Sequence, residues 1–279
     1  MCLLCHMKTI QPSIFLSGLC ILGAMLSTIA TSSAQTQNEL PPKVRHAEPL
    51  YLDLVRDLGA RKGEKEINVG IDFMNVRNYN QHVILAEYEF APINRLGLEV
   101  ETDFSFFKRT AEGEEVPNNK LECLRLSAQY SFWVSEKHRM TLAAGYTQIF
   151  EFPDFKNYGK SSAITGVGYN PFFVAAKRLG KNIHTLVYTS PVVEHDVLQR
   201  TTQVKWQINT AVHYSIPQTS HLIGIEINKE IEHGMFEMTV RPQVKIKCSK
   251  NLSLGLVAGI PVVRKHEHFS SFIRLIYEL

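Results

Sequence analysis

The sequence predicts an all-β protein: an antiparallel up-and-down transmembrane β-barrel of about 12 strands, preceded by one short N-terminal helix. Three observations carry this reading. From Ile67 to Leu279 apolar residues recur at every second position. After Ala34 no apolar run is long enough to cross a bilayer as a helix, which takes about 20 residues. Tight connections after even strands alternate with mostly longer ones after odd strands, the asymmetry of periplasmic turns and outer loops.

The elements follow in chain order. Residues 1–34 read as a cleaved secretory signal, with Lys8 in the basic region and an apolar run from Ile14 to Ala30. Ser32-Ser33-Ala34 supplies the small residues of a cleavage site. Met7-Lys8 opens a better-formed signal than Met1-Cys2, so either methionine can be the start. A lipoprotein at Cys20 is disfavoured because Leu19 stands where a small residue should. The formal charge of +3 falls to +2 once Lys8 is removed, too balanced for a nucleic-acid partner. Cys123 and Cys248 alone remain beyond the signal, without disulfide-scaffold or metal-ligand spacing.

Residues 35–66 are expected to form a helix and a charged connector. Pro49 stands early, Gly59 just past the end, and apolar residues at 50, 51, 54, 55 and 58 share one helical face. Arg61 to Glu66 is the connector. The barrel proper is assigned to 67–279, with strands near 67–74, 82–91, 96–107, 120–134, 139–150, 163–176, 183–191, 201–215, 221–229, 235–247, 252–262 and 268–278. Tight turns are expected at 92–95, 135–138, 177–182, 216–220 and 248–251. Longer loops are expected at 108–119, 151–162 and 192–200, with shorter ones at 230–234 and 263–267. Tyr88, Phe90, Tyr130, Phe132, Phe172, Tyr214 and Tyr277 mark one level of strand ends. Phe104, Phe106, Phe150, Phe152, Tyr188 and Phe236 mark the other, as two aromatic girdles would. Lipid cannot satisfy an open sheet edge, so the sheet must close. The location implied is a Gram-negative outer membrane, with lipid and the barrel assembly machinery as partners. A secreted β-sandwich binding protein shares the strand spacing but has no reason to alternate loop length.

The segment His46-Ala47-Glu48-Pro49-Leu50-Tyr51-Leu52-Asp53-Leu54-Val55-Arg56-Asp57-Leu58-Gly59-Ala60-Arg61-Lys62-Gly63-Glu64-Lys65-Glu66 resembles the opening of a family of exported Bacteroidota proteins. The likeness continues through Glu87 to Pro92, Arg95 to Glu101 and Tyr169 to Phe173. It implies an envelope location and no residue-level function. A purine-synthesis enzyme name carried by some members does not transfer, since the chain has no nucleotide-binding Gly-rich loop and no glutaminase cysteine site.

Alternation turns a strongly charged face inward. Glu87, Glu89, Glu99, Glu101 and Asp103 form an acidic wall on strands two and three. Lys205, Arg241, Lys245 and Lys247 form a basic wall on strands eight to ten. The walls either set a transverse field across a water-filled pore or meet as salt bridges in a closed lumen. The 48–58 helix is available to plug it. The expected role is a narrow or plugged channel for small solutes or a structural envelope protein, without enzymatic activity; an assembly partner that docks through the helix is a third class. The enzyme alternative is a lipid-active hydrolase using His213-Tyr214-Ser215 and Asn228. A turn centred near Gln218 sets His213 opposite Ile223, five residues or roughly 17 Å from Asn228. No resident cofactor is expected. Loop histidines beside carboxylates, His195, His233, His266 and His268, are the candidate ligands of a zinc, copper or nickel site at the mouth.

Overall fold

The computed structural model describes residues 40–52, 54–75, 79–110, 115–160, 162–263 and 269–279. The signal segment, His266 and His268 lie outside them. The strands are β1 (Lys65–Asn75), β2 (Tyr79–Ile93), β3 (Leu96–Arg109), β4 (Lys120–Ser135), β5 (Met140–Glu151) and β6 (Gly166–Leu179). They continue as β7 (Ile183–Asp196), β8 (Thr201–Ser215), β9 (Leu222–Glu232), β10 (Met235–Lys247), β11 (Leu252–Val263) and β12 (Ser270–Glu278). Each pairs antiparallel with its sequence neighbours, and β1 pairs with β12 to close the barrel. Along that seam Glu66 stands opposite Glu278 and Met74 opposite Ser270. The end carrying Lys65 and Glu278 is the lower end; the end carrying Asn75 and Tyr79 is the upper end.

Burial is inverted relative to a water-soluble sheet. On β3 the carboxylates Glu99, Glu101 and Asp103 are buried, while Val100 between them is 43 % exposed. On β9 Glu226 is fully buried and Ile225 beside it is 50 % exposed. Strand pleating sends successive side chains to opposite faces. Only a hydrocarbon surrounding makes an apolar exterior and a polar interior favourable together.

The aromatic girdles need two corrections. Tyr88, Phe132, Tyr214 and Tyr277 face outward near the lower end, and Phe106 and Phe236 face outward near the upper. Phe172 and Tyr188 instead face inward and stack, centroids 5.3 Å apart. In the Phe172-Phe173 pair one ring must point each way, and Phe173 takes the exterior.

The upper connections also differ from expectation. β7 runs to Asp196, further than expected, and joins β8 through residues 197–200, so the long loop at 192–200 is mostly strand. Thr201 to Thr210 pair with Asp196 to Val187 along the hairpin, which explains the extension. Between β9 and β10 only His233 and Gly234 remain, both at positive φ (47° and 76°), as a two-residue hairpin turn of the primed type requires.

The predicted helix at 48–58 does not form. The described residues of this segment are bends, turns and irregular chain. The reason is where its backbone groups go. Leu50 N–H donates to Gln243 Oε1 (2.7 Å), Leu52 N–H to Glu226 Oε1 (2.9 Å) and Gly59 N–H to Ser131 Oγ (2.8 Å). The Arg56 carbonyl accepts from Gln129 Nε2 at 2.7 Å. Polar side chains of the barrel wall thus replace the intrahelical ladder, which leaves the chain free to follow the wall. Its apolar residues still all find cover.

Candidate functional site

The lumen divides into two halves. The lower half is filled by the described residues of 41–64, which fold up into the barrel and back out as a plug. Leu54, Val55 and Leu58 pack against Ala143, Val174, Ala176, Leu186 and Ala211 of the wall, together with the Phe172–Tyr188 stack. Leu50 packs against Val257, Phe272 and Ile276, with Tyr51 beside them. Both apolar clusters are therefore formed where plug meets wall. Two glycines make room for it: a Cβ on Gly97 would sit 2.4 Å from Arg56 Cβ, and one on Gly255 would sit 2.9 Å from Leu50 Cδ2.

Charge holds the stems of the plug. Lys43 Nζ reaches Asp57 at 3.2 Å and Glu64 at 2.8 Å, tying the incoming stem to the outgoing one. Arg56 Nη1 bridges Glu66 (3.1 Å) and Glu89 (3.0 Å). The Glu48 and Asp57 side chains lie next to each other. Burial, then the charge of Asp57, pushes the Glu48 carboxyl well above the usual carboxylate range, so Glu48 keeps the proton. Burial alone would raise Asp57 too, but Arg56, the neighbouring Glu48 side chain and Lys43 hold it below that range.

The upper half is an open vestibule of about 600 Å³, floored by Tyr51, Leu52 and Val55 of the plug. Tyr51 meets Phe272 edge-on at 5.8 Å, and the Arg241 guanidinium lies 3.4 Å above its ring centroid. Arg241 also donates from Nε to Asn228 Oδ1 (2.8 Å) and from Nη1 to Ser270 Oγ (3.1 Å). Carboxylates outnumber cations in the lining, eight to five.

The structure brings Glu87, Glu89, Glu99, Glu101 and Asp103 together as one buried face on β2 and β3. Their counter-charges come from three arginines that the basic wall did not include. Arg274 of β12 donates to both oxygens of Glu87 (3.0 and 3.1 Å), Arg56 serves Glu89, and Arg125 of β4 bridges Glu101 and Asp103. Asn68 Nδ2 donates to Glu87 and Glu89, and Ser127 Oγ to Glu99. Arg125 stands between Leu124 and Leu126, and Arg274 between Ile273 and Leu275, so alternation alone marks both as inward. Arg56 lies in the plug, where alternation is silent.

The basic residues do not act as one wall. Lys205 pairs with Glu194 at 2.8 Å near the upper end, and Lys247 with Glu278 at 2.8 Å at the lower rim. Arg241 sits at the vestibule floor, and Lys245, one inward step below Gln243 on β10, lies in the plugged half.

The remaining candidate residues lie apart. His195 belongs to β7 rather than to a loop, with Nδ1 3.0 Å from Thr202 Oγ1. His233 occupies the left-handed turn after β9. Among the described residues no three His, Cys, Asp or Glu side chains are grouped to hold a metal ion. His213 pairs with Gly224, one residue from the expected register, because the β8–β9 turn closes through Ile216 N–H to His221 O. Ser215 Oγ contacts His184 Nε2 (3.1 Å), not His213, and Asn228 Nδ2 donates to Asn209 and Glu226. These three residues therefore do not assemble a nucleophile and base.

Comparison with known proteins agrees with this architecture. Residues 42–278 match the HAEPLYID-like family, and the chain belongs to that family. No curated protein matches the sequence. Among solved structures, an outer membrane channel from Pseudomonas putida F1 superposes with a TM-score of 0.61 at 12% identity, covering 86% of this chain and 100% of that one. The NanC porin gives 0.54 at 9% identity, over 76% and 100% of the two chains. The KdgM porin in complex with disordered oligogalacturonate gives 0.52 at 12%, over 77% and 99%. At such identities the likeness is one of fold.

Proposed function

We propose that this HAEPLYID-like family member is an outer-membrane channel for small polar solutes, closed at its periplasmic end by its own plug. The observation that carries the reading is a polar vestibule inside a lipid-suited barrel, floored by residues that hydrogen bonds, not covalent geometry, hold in place. The lower end is then periplasmic and the vestibule faces outward. An exported precursor with a cleaved signal, inserted by the barrel assembly machinery, fits the same reading, as does a Bacteroidota source. The family's descriptive name, read as one-letter residues, spells His46 to Asp53 with Leu52 in place of isoleucine, which supports the plug as the family's characteristic segment.

The excess of carboxylates in the vestibule favours cationic or uncharged solutes over polyanions. The KdgM porin's oligogalacturonate is a polyanion, so the two channels are expected to differ in selectivity. A permanently plugged structural protein is the second reading, favoured by the number of bonds that hold the plug.

Membrane fractionation with heat-modifiable gel mobility tests the location, and a soluble product would remove the proposal. Planar-bilayer recording of the full mature chain and of a deletion of 41–60 tests the channel. Current from the deleted form supports a gated pore; silence from a correctly folded deletion supports the structural reading.

A further inference from the structure

Three histidines lie close together in the lower lumen, one from each of three elements. His46 is on the incoming stem, His184 on β7 and His213 on β8, with His184 and His213 register partners. His184 bridges plug and wall. Its Nδ1 accepts the Ala47 N–H at 3.0 Å, and its Nε2 lies 3.1 Å from Ser215 Oγ. A nitrogen that accepts an N–H cannot carry a proton itself, so His184 is the neutral Nε2–H tautomer. His46 Nε2 lies 2.9 Å from Thr141 Oγ1 of β5, while its Nδ1 is buried without a hydrogen bond. His213 is 1 % exposed; the Gln243 side chain is its polar neighbour, but neither ring nitrogen closes a hydrogen bond. The charged groups around this cluster are Arg178 of β6, Lys245 of β10 and Asp57 of the plug, with Glu48, two residues along from His46, beside Asp57.

We propose that these histidines form an acid-sensitive latch, whose protonation releases the incoming stem of the plug from the wall and opens the lower lumen. The inference rests on the plugged-channel reading. A proton on His184 Nδ1 turns the acceptor of the Ala47 bond into a donor, so two N–H groups face each other. The new charge also lies beside Arg178, its register partner on β6, and beside His46. Glu48 offers little relief, because it already holds its proton.

His46 fixes the pH window. Burial, then His184 and Arg178, lower it from 6.5 to about 4, with Asp57 opposing. A released plug would titrate its histidine at the ordinary value of about 6.5. Between those two values the released state binds the extra proton and the latched state does not. The latched state is therefore favoured above pH 6.5 and loses about tenfold per pH unit, for this one histidine, as pH falls toward 4. Below that point the loss is complete.

The test is planar-bilayer recording of the full mature chain at about pH 7.5 and about pH 5. Acid should raise open probability on the order of tenfold or more. His46→Gln and His184→Gln together keep neutral acceptors at these positions and should largely abolish the acid response. His184→Arg carries a permanent charge and should open the channel at neutral pH; heat-modifiable mobility reports whether it folds. A Leu50→Cys, Gly255→Cys pair, oxidised to staple plug to wall, should keep the channel shut in acid until reductant is added. An acid response unchanged in the double glutamine variant, or surviving the staple, overturns the latch. So does a wild-type chain indifferent to pH when the 41–60 deletion conducts. A folded deletion that carries no current overturns the channel reading itself, and the latch with it.

Discussion

The two halves of the lumen are built from the same twelve strands and the same alternation, yet one is full and the other is open. In the lower half the chain's own residues 41–64 occupy the interior, and wall side chains such as Gln243, Glu226 and Ser131 accept plug N–H groups. In the upper half comparable side chains, Asn228, Glu99 and Arg125, bond to other wall side chains, among them Arg241, Ser127 and Glu101, leaving about 600 Å³ of space. The difference teaches that closing a barrel of this size specifies a polar interior without specifying what fills it. A short irregular segment that trades backbone bonds for side-chain bonds decides whether the interior is a pore or a core.

Deleting residues 41–60 should erase that comparison and give the largest effect. The deleted chain should insert as a barrel and carry steady current where the intact chain at neutral pH is nearly silent, as single-channel recording will report. Next comes Arg56→Ala, which strips two buried carboxylates, Glu66 and Glu89, of one shared partner. Breaking a buried pair from one side costs about 3–5 kcal/mol, so the urea midpoint in detergent micelles should fall clearly. An unchanged midpoint would mean that Arg274 and Asn68 already suffice for Glu89.

The upper half should answer in selectivity instead. Glu99→Gln with Glu101→Gln leaves Arg125 facing Asp103 alone and should shift the reversal potential in a salt gradient toward anions. This is best measured on the plug-deleted chain, where the pore is open. The smallest effect is expected from Glu194→Gln. Its partner Lys205 sits near the mouth, both side chains retain solvent contact, and such a pair contributes about 0–1 kcal/mol. A large loss of stability there would show that the upper half is as tightly built as the lower.

How much of this was legible depended on how local the cause is. Strand number and facing are legible because lipid and lumen impose opposite chemistry on adjacent residues, as in Val100 between Glu99 and Glu101. Register across a turn is less so. His213 meets Gly224 rather than Ile223 because the β8–β9 turn puts Gln218 at φ 62°, a detail no periodicity encodes. The plug is the hardest case. Its apolar spacing at 50, 51, 54, 55 and 58 suits a helix, but the groups that take its N–H bonds lie more than 70 residues away in sequence. Arg125 and Arg274 were legible as inward cations, but their partners depend on pairing: Arg125 meets Glu101 as its register partner between β3 and β4, and Arg274 reaches Glu87 only because β12 closes onto β1.

The Lys43–Glu64 bridge has a mechanical consequence. It joins the stem that goes in to the stem that comes out, so both pass the same lower opening and the plug is a tucked loop, not a thread through the barrel. A tucked loop can be drawn out without parting a single strand from its neighbour. Tension on the residue-41 side would load its attachments in series, first the Lys43 bridge, then His46 on Thr141, Ala47 on His184, Leu50 on Gln243 and Leu52 on Glu226. Bonds loaded one after another yield to a small steady pull, where the same bonds loaded side by side would demand a large one.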